Sequence, residues 1–283
     1  MGVSTWMDRT FYPTYRDNWD NDRFREIILD LLRPDFRCLD YGAGRGHLPQ
    51  MNIKDKVAFV AGVDPDEAVF ANPYLHEARL LPLPSGRIPY DDDSFDLVYC
   101  ANVMEHVEAP ETTFKEVARV LKPGGMFVAK TPNKNHYMPL IARMTPVSFH
   151  KFYNRLRGRQ VHDTFKTQYK CNSPSQVAAY QRQAGFELRR IDMWEGRPEY
   201  LRLFWVLYLF GLAYERLVNS SDMFSGFRSV MVFRLEKPAP QGVSARDRRP
   251  VAASPNIDQG ALRASRPCQA GEERRLAFSP RHV

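Results

Sequence analysis

The sequence reads Cys38-Leu39-Asp40-Tyr41-Gly42-Ala43-Gly44-Arg45-Gly46 at its most informative segment. An apolar run ends in an acid, and glycine then occupies every second position, which predicts a strand, a tight turn and the start of a helix. Gly42 would let the chain reverse, Gly44 would let a ligand approach the backbone, and Gly46 would open the helix. A dinucleotide-binding turn needs Gly-x-Gly-x-x-Gly, and the position it requires holds His47, so the spacing argues against that class.

The length and composition are those of one α/β domain with insertions, or of one domain and a tail. The chain has 283 residues, of which 43% are hydrophobic and 12% aromatic. Its net charge is +7, but residues 237–283 hold nine Lys/Arg against four Asp/Glu. The preceding residues are therefore nearly neutral, with 31 basic and 29 acidic side chains. Because the basic surplus lies mainly in the tail, it does not predict a nucleic-acid groove, and we expect no nucleic-acid partner.

The two ends of the chain carry few signals. No charged-then-apolar leader pattern begins the sequence, and its scattered cysteines form no C-x-x-C pair, so we expect a cytoplasmic protein without a zinc or disulfide framework. Residues 1–17 are aromatic and predicted irregular, and residues 18–32 have a helical period. Together, residues 1–35 form an N-terminal arm and helix that would either cover a ligand as a lid or pack on the core.

Residues 237–283 are predicted to be a disordered basic tail.

A second strand is predicted at residues 57–63, and it ends in Asp64-Pro65. Because parallel strands end at the same edge of a sheet, this acid would lie near the glycine turn. A carboxylate there can accept two hydrogen bonds from a ribose diol; the alternative is that Asp64 caps its own loop, since Asp-Pro is common in turns. Pro49 interrupts the expected crossover helix, which is therefore predicted to be short or broken.

The middle of the chain continues the alternation of strands and helices. Residues 95–101 predict a strand that ends at Asn102, and residues 103–107 predict the start of a helix. Residues 111–121 form an amphipathic helix, closed by a stop and glycine turn at 122–125, and residues 126–130 predict another strand.

The segments FDLVYCANVMEHV (95–107) and EVARVLKPGGMFVAKTPN (116–133), together with the first motif, resemble the small-molecule class I S-adenosylmethionine (SAM) methyltransferases. The likeness is to ubiquinone-biosynthesis O-methyltransferases and to bacterial enzymes of glycan and secondary metabolism. It implies an α/β fold with a Rossmann-like seven-stranded sheet, mostly parallel with an antiparallel last strand, helices on both faces and a helical insertion. Residues 36–236 would form this methyltransferase domain.

The resemblance implies transfer of a methyl group from SAM, with S-adenosylhomocysteine as product, to a small-molecule, sugar or lipid-linked acceptor, with oxygen favoured. The cofactor-binding positions it implies are Asp40, Gly42, Ala43, Gly44, Asp64, Pro65 and Asn102. An oxygen acceptor needs a base, for which a histidine suits neutral pH. His106 is the first candidate and His136 the second; the alternative for His106 is an exposed residue at a helix start.

Two positions depart from the pattern of that family. The ubiquinone-type relatives hold a divalent metal with Glu, Glu and His, but this chain has Asn102 in place of the first Glu and retains Glu105 and His106. A metal is therefore left open and no metal site is predicted. Pro84 stands where the family places an acid that contacts adenine, so adenine recognition would rest on backbone groups or on another acid.

Two insertions are expected to bind the acceptor: residues 135–172, rich in basic and aromatic side chains, and residues 195–226. A capping box at 173–176 opens a helix, and strands are predicted at 186–193 and 227–235. Residues 203–214 are twelve residues without a charge, too few to span a membrane. This segment would lie on a membrane surface, line an apolar acceptor pocket, form the face of a homodimer, or be buried on both sides.

Two other functions remain as alternatives. One is a SAM-binding scaffold or regulatory protein without catalysis. The other is an RNA methyltransferase, which is disfavoured by the nearly neutral domain and by the lack of an Asp/Asn-Pro-Pro-aromatic tetrad after Tyr99.

Overall fold

A computed structural model describes residues 2–15, 18–144, 167–202 and 204–239. Seven strands form one sheet in the order β3-β2-β1-β4-β5-β7-β6. The strands are β1 (Arg37–Tyr41), β2 (Phe59–Asp64), β3 (Glu77–Leu80), β4 (Phe95–Ala101), β5 (Leu121–Pro132), β6 (Glu187–Trp194) and β7 (Val230–Glu236). β7 pairs antiparallel with both β5 and β6, and the other pairs are parallel. The predicted Rossmann-like sheet with a reversed last strand is therefore confirmed.

Helices cover both faces of this sheet. They are α1 (Val3–Phe11), α2 (Trp19–Leu31), α3 (Pro110–Val120), α4 (Tyr137–Met144), α5 (Pro174–Gln183) and α6 (Trp205–Val218). On one face Phe114 of α3 packs against Phe127 and Phe233 of the sheet. On the other face Phe24 and Ile28 of α2 are fully buried against the strands. Burial on both faces explains why the central strands are nearly continuous apolar runs.

The crossover after β1 is short, as predicted. Two 3-10 turns, Pro49–Met51 and Lys54–Lys56, stand where a full helix would otherwise connect β1 to β2. Pro49 opens the first turn, because a proline is tolerated at the first helical position but not inside a helix.

Two local predictions were wrong, and a third was right only in part. Val3–Phe11 is a helix rather than an irregular arm. Met7 of this helix and Tyr12, directly after its end, are buried against Tyr208 of α6. Residues 103–107 form a turn, because the Glu105 carbonyl accepts hydrogen bonds from residues 168 and 169 and is not free to continue a helix. The predicted glycine turn at 122–125 is present, with Gly124 at φ +81°, but it lies inside β5 as an irregularity in the pairing with β4.

That last difference has a long-range cause. The Gly124 N–H donates to the Lys237 carbonyl at 2.7 Å, and the Lys237 N–H donates to the Gly125 carbonyl at 2.9 Å. The backbone just after β7 thus ties this irregular part of β5 to the edge of the sheet. Lys237, where the predicted tail begins, is bonded to the domain, while residues 240–283 lie outside the described part of the chain.

The charge-free segment 203–214 falls largely in α6. Tyr208 and Gly211 face inward, and the opposite face of the helix is exposed. The alternative in which this segment is buried on both sides is therefore wrong. Within the described ranges, no helix has the length and apolar character needed to cross a membrane.

Candidate functional site

The glycine turn after β1 has the backbone shape that the sequence predicts. Gly42 and Gly44 have φ of +78° and +49°, a region that side chains disfavour. A Cβ on Gly42 would lie 2.4 Å from Cγ2 of Val103, whereas a Cβ on Gly44 would have nothing within 4 Å. The Gly42 N–H donates to the Val63 carbonyl at 2.8 Å. The turn is therefore tied to β2 and packed on one side, and it is open on the side where a ligand can approach.

Asp64, at the carboxyl end of β2, holds this turn in place. One carboxylate oxygen accepts the Gly44 N–H at 3.0 Å, and the other accepts the Asp66 N–H at 2.9 Å. Burial raises the pKa of Asp64, and these two backbone hydrogen bonds oppose that shift. Each oxygen has a second lone pair, so the carboxylate can hold its loop and still accept hydrogen bonds from a ligand.

Asp40, at the end of β1, is a buried acid with a strongly raised pKa. Burial and, to a smaller extent, the charge of Asp64 raise its pKa to about 8, and a hydrogen bond with Tyr99 opposes the shift. Asp40 therefore retains a proton near neutral pH in the ligand-free protein. A cation placed beside it would favour the ionised form, because an opposite charge lowers the pKa of a carboxyl group.

This shift predicts a pH-dependent stability. Because the folded pKa lies above the ordinary value, the contribution of Asp40 is fully present below about pH 4 and is lost as the pH rises to about 8. Between about pH 5 and about pH 8 the free energy of unfolding of the ligand-free wild type should fall by up to ~4 kcal/mol relative to that of Asp40→Asn. Denaturant unfolding at both pH values measures this difference. Asp35→Asn, at an exposed position, is the control. The prediction would be contradicted if the free energies of unfolding of wild type and Asp40→Asn differed by the same amount at both pH values.

A cavity of about 150 Å³ lies over the turn. Of the predicted cofactor residues, Asp40, Gly42, Ala43 and Gly44 line it. Sequence reasoning did not assign the remaining lining residues, which are Arg45, Gly46, His47, Leu48, Met51, Asn72, Tyr74 and Ala101. The Asn72 amide donates to the carbonyls of Ala43 and Gly44 at 3.0 and 3.1 Å. No local pattern marks this asparagine, because its partners lie 28 and 29 residues away.

Three of the other predicted residues surround this cavity without lining it. Asp64 contacts the turn through Gly44, and Pro65 beside it is exposed. Asn102 is exposed at the end of β4, with φ of +57°, and its N–H donates to the Lys130 carbonyl at 2.8 Å.

His106 lies on the turn that follows β4. Its side chain is 30% exposed, and its Nε2 is 4.0 Å from Oε1 of Glu105. Glu105 is buried, which raises its pKa, and its Oε2 accepts the Thr131 hydroxyl at 3.0 Å. Asn172 donates in turn to the Thr131 oxygen at 2.7 Å. This network fixes the turn against the carboxyl end of β5 and leaves the imidazole accessible.

His136 has a different environment. It is 3% exposed, and its ring lies 4.0 and 5.5 Å from the rings of Tyr137 and Tyr214. Its Nδ1 accepts the Met138 N–H at 3.4 Å, and its Nε2 is 3.3 Å from Oε2 of Glu195. The two atoms of this second contact are close but not aligned for a hydrogen bond. Both ring nitrogens therefore face groups of the chain itself, and His136 does not line the cavity.

The metal site of the ubiquinone-type relatives does not fit the residues present. Asn102 is exposed and offers an amide, and one oxygen of the buried Glu105 is already engaged by Thr131. Across the described residues, no three His, Cys, Asp or Glu side chains are grouped so that they could hold a metal ion.

A glycine turn and two strand-end carboxylates lie at a cavity on the carboxyl edge of a mostly parallel sheet, an arrangement typical of α/β proteins that bind a small cofactor at that edge. The family described as "Methyltransferase domain" matches residues 39–129. The ubiquinone biosynthesis O-methyltransferase of Pseudomonas fluorescens (strain SBW25) is 30% identical over 205 residues, which cover 66% of this chain and 79% of that protein. The enzyme of the same name from Pseudomonas syringae pv. tomato is 31% identical over 162 residues, and the alignment covers 55% of this chain and 66% of that enzyme.

A solved structure shares the fold. A chain in the complex of the Haloferax volcanii Trm112 methyltransferase activator with a methyltransferase aligns with a TM-score of 0.50 and 17% identity, and the alignment covers 83% of this chain and 96% of that one. From the sequence relatives, the chain belongs to the class I SAM-dependent methyltransferases.

Proposed function

We propose that this protein transfers the methyl group of SAM to a hydroxyl oxygen of a small-molecule acceptor. The observation that carries the choice of oxygen is the 30% identity with an O-methyltransferase over 79% of that enzyme. The partly exposed imidazole of His106, on the turn that follows β4, supports it, because a hydroxyl nucleophile has a proton to lose and an imidazole accepts one near neutral pH.

The residues of the cavity would hold the cofactor as follows. Asp64 accepts hydrogen bonds from the ribose diol, and the open side of Gly44 lets the cofactor approach the backbone. Asp40 faces the cationic methionine portion, whose charge favours the ionised carboxylate. Pro65 and Asn102 complete the edge on either side. Bound there, SAM supplies an activated methyl group on a sulfonium.

The chain's own contribution to the reaction is positioning and proton removal. SAM held there would supply its methyl carbon to the acceptor oxygen, and its sulfur would keep the electron pair of the carbon–sulfur bond. His106 takes the hydroxyl proton. Holding donor and acceptor in line lowers the activation barrier by several kcal/mol. We choose His106 over His136 because the His106 side chain is 30% exposed whereas His136 is 3% exposed. We assign His136 a positioning role at the end of β5.

The acceptor itself would be held by the two insertions. Residues 135–172 contain several basic and aromatic side chains, which favours an acceptor with an anionic or sugar group. Residues 195–226 contact the start of that insertion through the rings of Tyr137 and Tyr214, whose centroids are 4.8 Å apart. Residues 145–166 of the first insertion lie outside the described part of the chain.

A matched acceptor series tests the proposed atom. Phenol, aniline and thiophenol derivatives of one ring system, offered with SAM, differ in the nucleophile alone. We expect release of S-adenosylhomocysteine with the hydroxyl series, measured by mass spectrometry of both products. Turnover confined to amines or thiols would contradict oxygen transfer. Tight binding of S-adenosylhomocysteine without turnover across a wider acceptor library would favour the non-catalytic SAM-binding alternative.

A further inference from the structure

Lys130, near the carboxyl end of β5, is a lysine that the domain buries completely. Its exposed fraction is 0%, and it lies at the edge of the sheet that holds the cavity. Its Nζ atom contacts Oδ2 of Asp20 and Oδ1 of Asn21, both in the first turn of α2. Lysine is almost never fully buried without such partners, because its charge loses its hydration. A buried ion pair thus joins β5 to the start of α2.

The stability of the fold does not by itself account for a charge at this position. Replacement of a buried ion pair by apolar side chains of the same volume is often neutral or stabilising, because both ions give up their hydration. An apolar contact has no preferred direction, whereas an ammonium group with two oxygen acceptors orients the segment that carries them. Lys130 therefore fixes where the first turn of α2 lies on the sheet and how the helix is rotated.

The backbone of Lys130 is bonded to one wall of the cavity. Lys130 pairs in register with Ala101 of β4, and Ala101 lines the cavity. The Lys130 carbonyl accepts the N–H of Asn102 at 2.8 Å, and Asn102 has the left-handed φ of +57°. This hydrogen bond holds the chain where it turns away at the end of β4. One residue therefore contacts both the end of β4, through its backbone, and α2, through its side chain.

α2 extends this connection to a second wall of the cavity. The Asp22 carboxylate accepts the Gln50 side-chain amide at 3.0 Å. Nη1 of Arg25 donates to the carbonyls of Gln50 and Asn52 at 2.5 and 2.6 Å. Met51, between those two residues, lines the cavity. α2 therefore connects β5 to the crossover that follows β1, and both of these attachments adjoin residues that line the cavity.

We propose that Lys130 is a positioning residue for the cofactor. By orienting α2, its buried ammonium group sets the distance between the crossover and the end of β4, and so the shape of the cavity into which SAM binds. Because coupling between two sites is reciprocal, a bound cofactor also stabilises the docked position of α2. This inference rests on the proposed function, in which that cavity is the SAM site.

Lys130→Met tests the inference, because methionine keeps a long, unbranched side chain and removes the charge. Calorimetric titration with S-adenosylhomocysteine should show an affinity about tenfold weaker than that of wild type, a coupling of ordinary size. Asp20→Asn, at a position that is 25% exposed, removes the charge of the partner and should weaken binding in the same direction. The double variant should lose no more than Lys130→Met alone, because the two residues act as one unit.

Two control variants separate positioning from stability. Lys122→Met breaks the ion pair with Asp96, 2.8 Å long, at the opposite end of β5. Val117→Ala truncates a fully buried side chain of α3, on the other face of the sheet, and so lowers the unfolding midpoint without touching α2. Both controls should bind S-adenosylhomocysteine as wild type does.

Hydrogen exchange gives a readout that a loss of stability alone would not change. In the wild type, S-adenosylhomocysteine should slow exchange of the α2 amides more than that of the α3 amides. In Lys130→Met at equal saturation, this extra protection of α2 should disappear. Its persistence there would contradict the inference, because α2 would then be coupled to the cofactor without the lysine.

The affinities distinguish failure of this inference from failure of the proposed function. Wild-type affinity in folded Lys130→Met and Asp20→Asn would overturn the inference, while binding by the wild type would still support the proposed function. An equal loss of affinity in Val117→Ala would also overturn it, since affinity would then follow stability. Absence of S-adenosylhomocysteine binding by the wild type would overturn both.

Discussion

Asp64→Ala is expected to weaken the binding of S-adenosylhomocysteine about 100-fold, because hydrogen bonds to a charged group contribute ~1.5–3 kcal/mol each. The substitution removes the acceptor of the Gly44 and Asp66 N–H groups as well as the proposed acceptor of the ribose hydroxyls. Asp64→Asn retains one oxygen and should lose about tenfold, on the same scale. Calorimetric titration measures both affinities.

The neighbouring Asp66 provides the control for that experiment. Its carboxylate is exposed and accepts the Ala68 N–H at 2.8 Å, capping the short 3-10 helix that follows β2. Asp66→Ala changes charge by the same amount two residues away and should leave affinity nearly unchanged. Wild-type affinity in Asp64→Ala would show that this carboxylate holds only its own loop, which is the alternative that the Asp-Pro sequence left open.

His106→Gln is expected to lower kcat by about 100- to 1000-fold, because a positioned general base typically contributes ~10²–10⁴-fold. The affinity for S-adenosylhomocysteine should not change, since His106 does not line the cavity. The measurement is turnover with the best acceptor of the hydroxyl series, alongside calorimetric titration of the same preparation.

His136→Gln separates the two candidate bases. This substitution breaks the buried contact with Glu195, so we expect a lower unfolding midpoint and a kcat for the folded enzyme within a few-fold of wild type. The opposite result, in which His136→Gln loses turnover without loss of stability and His106→Gln does not, would reverse the assignment of the base.

The local sequence determined the strands and the turn that form the site. β1, the glycine turn, β2 and β4 were all predictable, because an apolar run, a glycine with positive φ and a strand-end acid each act within a few residues. The shortened crossover was predictable for the same reason, since Pro49 excludes a long helix wherever it stands in the fold.

Contacts between distant segments decided the rest. Asn72 reaches the cavity by bonding to the glycine turn across 28 and 29 residues, and β3, which the sequence did not predict, pairs with β2 through only four residues. His136 is buried because a glutamate 59 positions further along the chain folds against it. No local pattern encodes such pairings.

The charge-free segment of α6 shows most clearly what local sequence determines and what distant contacts determine. Its composition established that it is apolar and too short to span a membrane, but the same composition suits a buried helix or an exposed one. The packing of Tyr208 and Gly211 against the N-terminal helix and Pro198 chose which face points inward. Sequence determines how apolar a helix is, whereas the partners that cover it, which come from elsewhere in the chain, determine which side chains remain in contact with solvent.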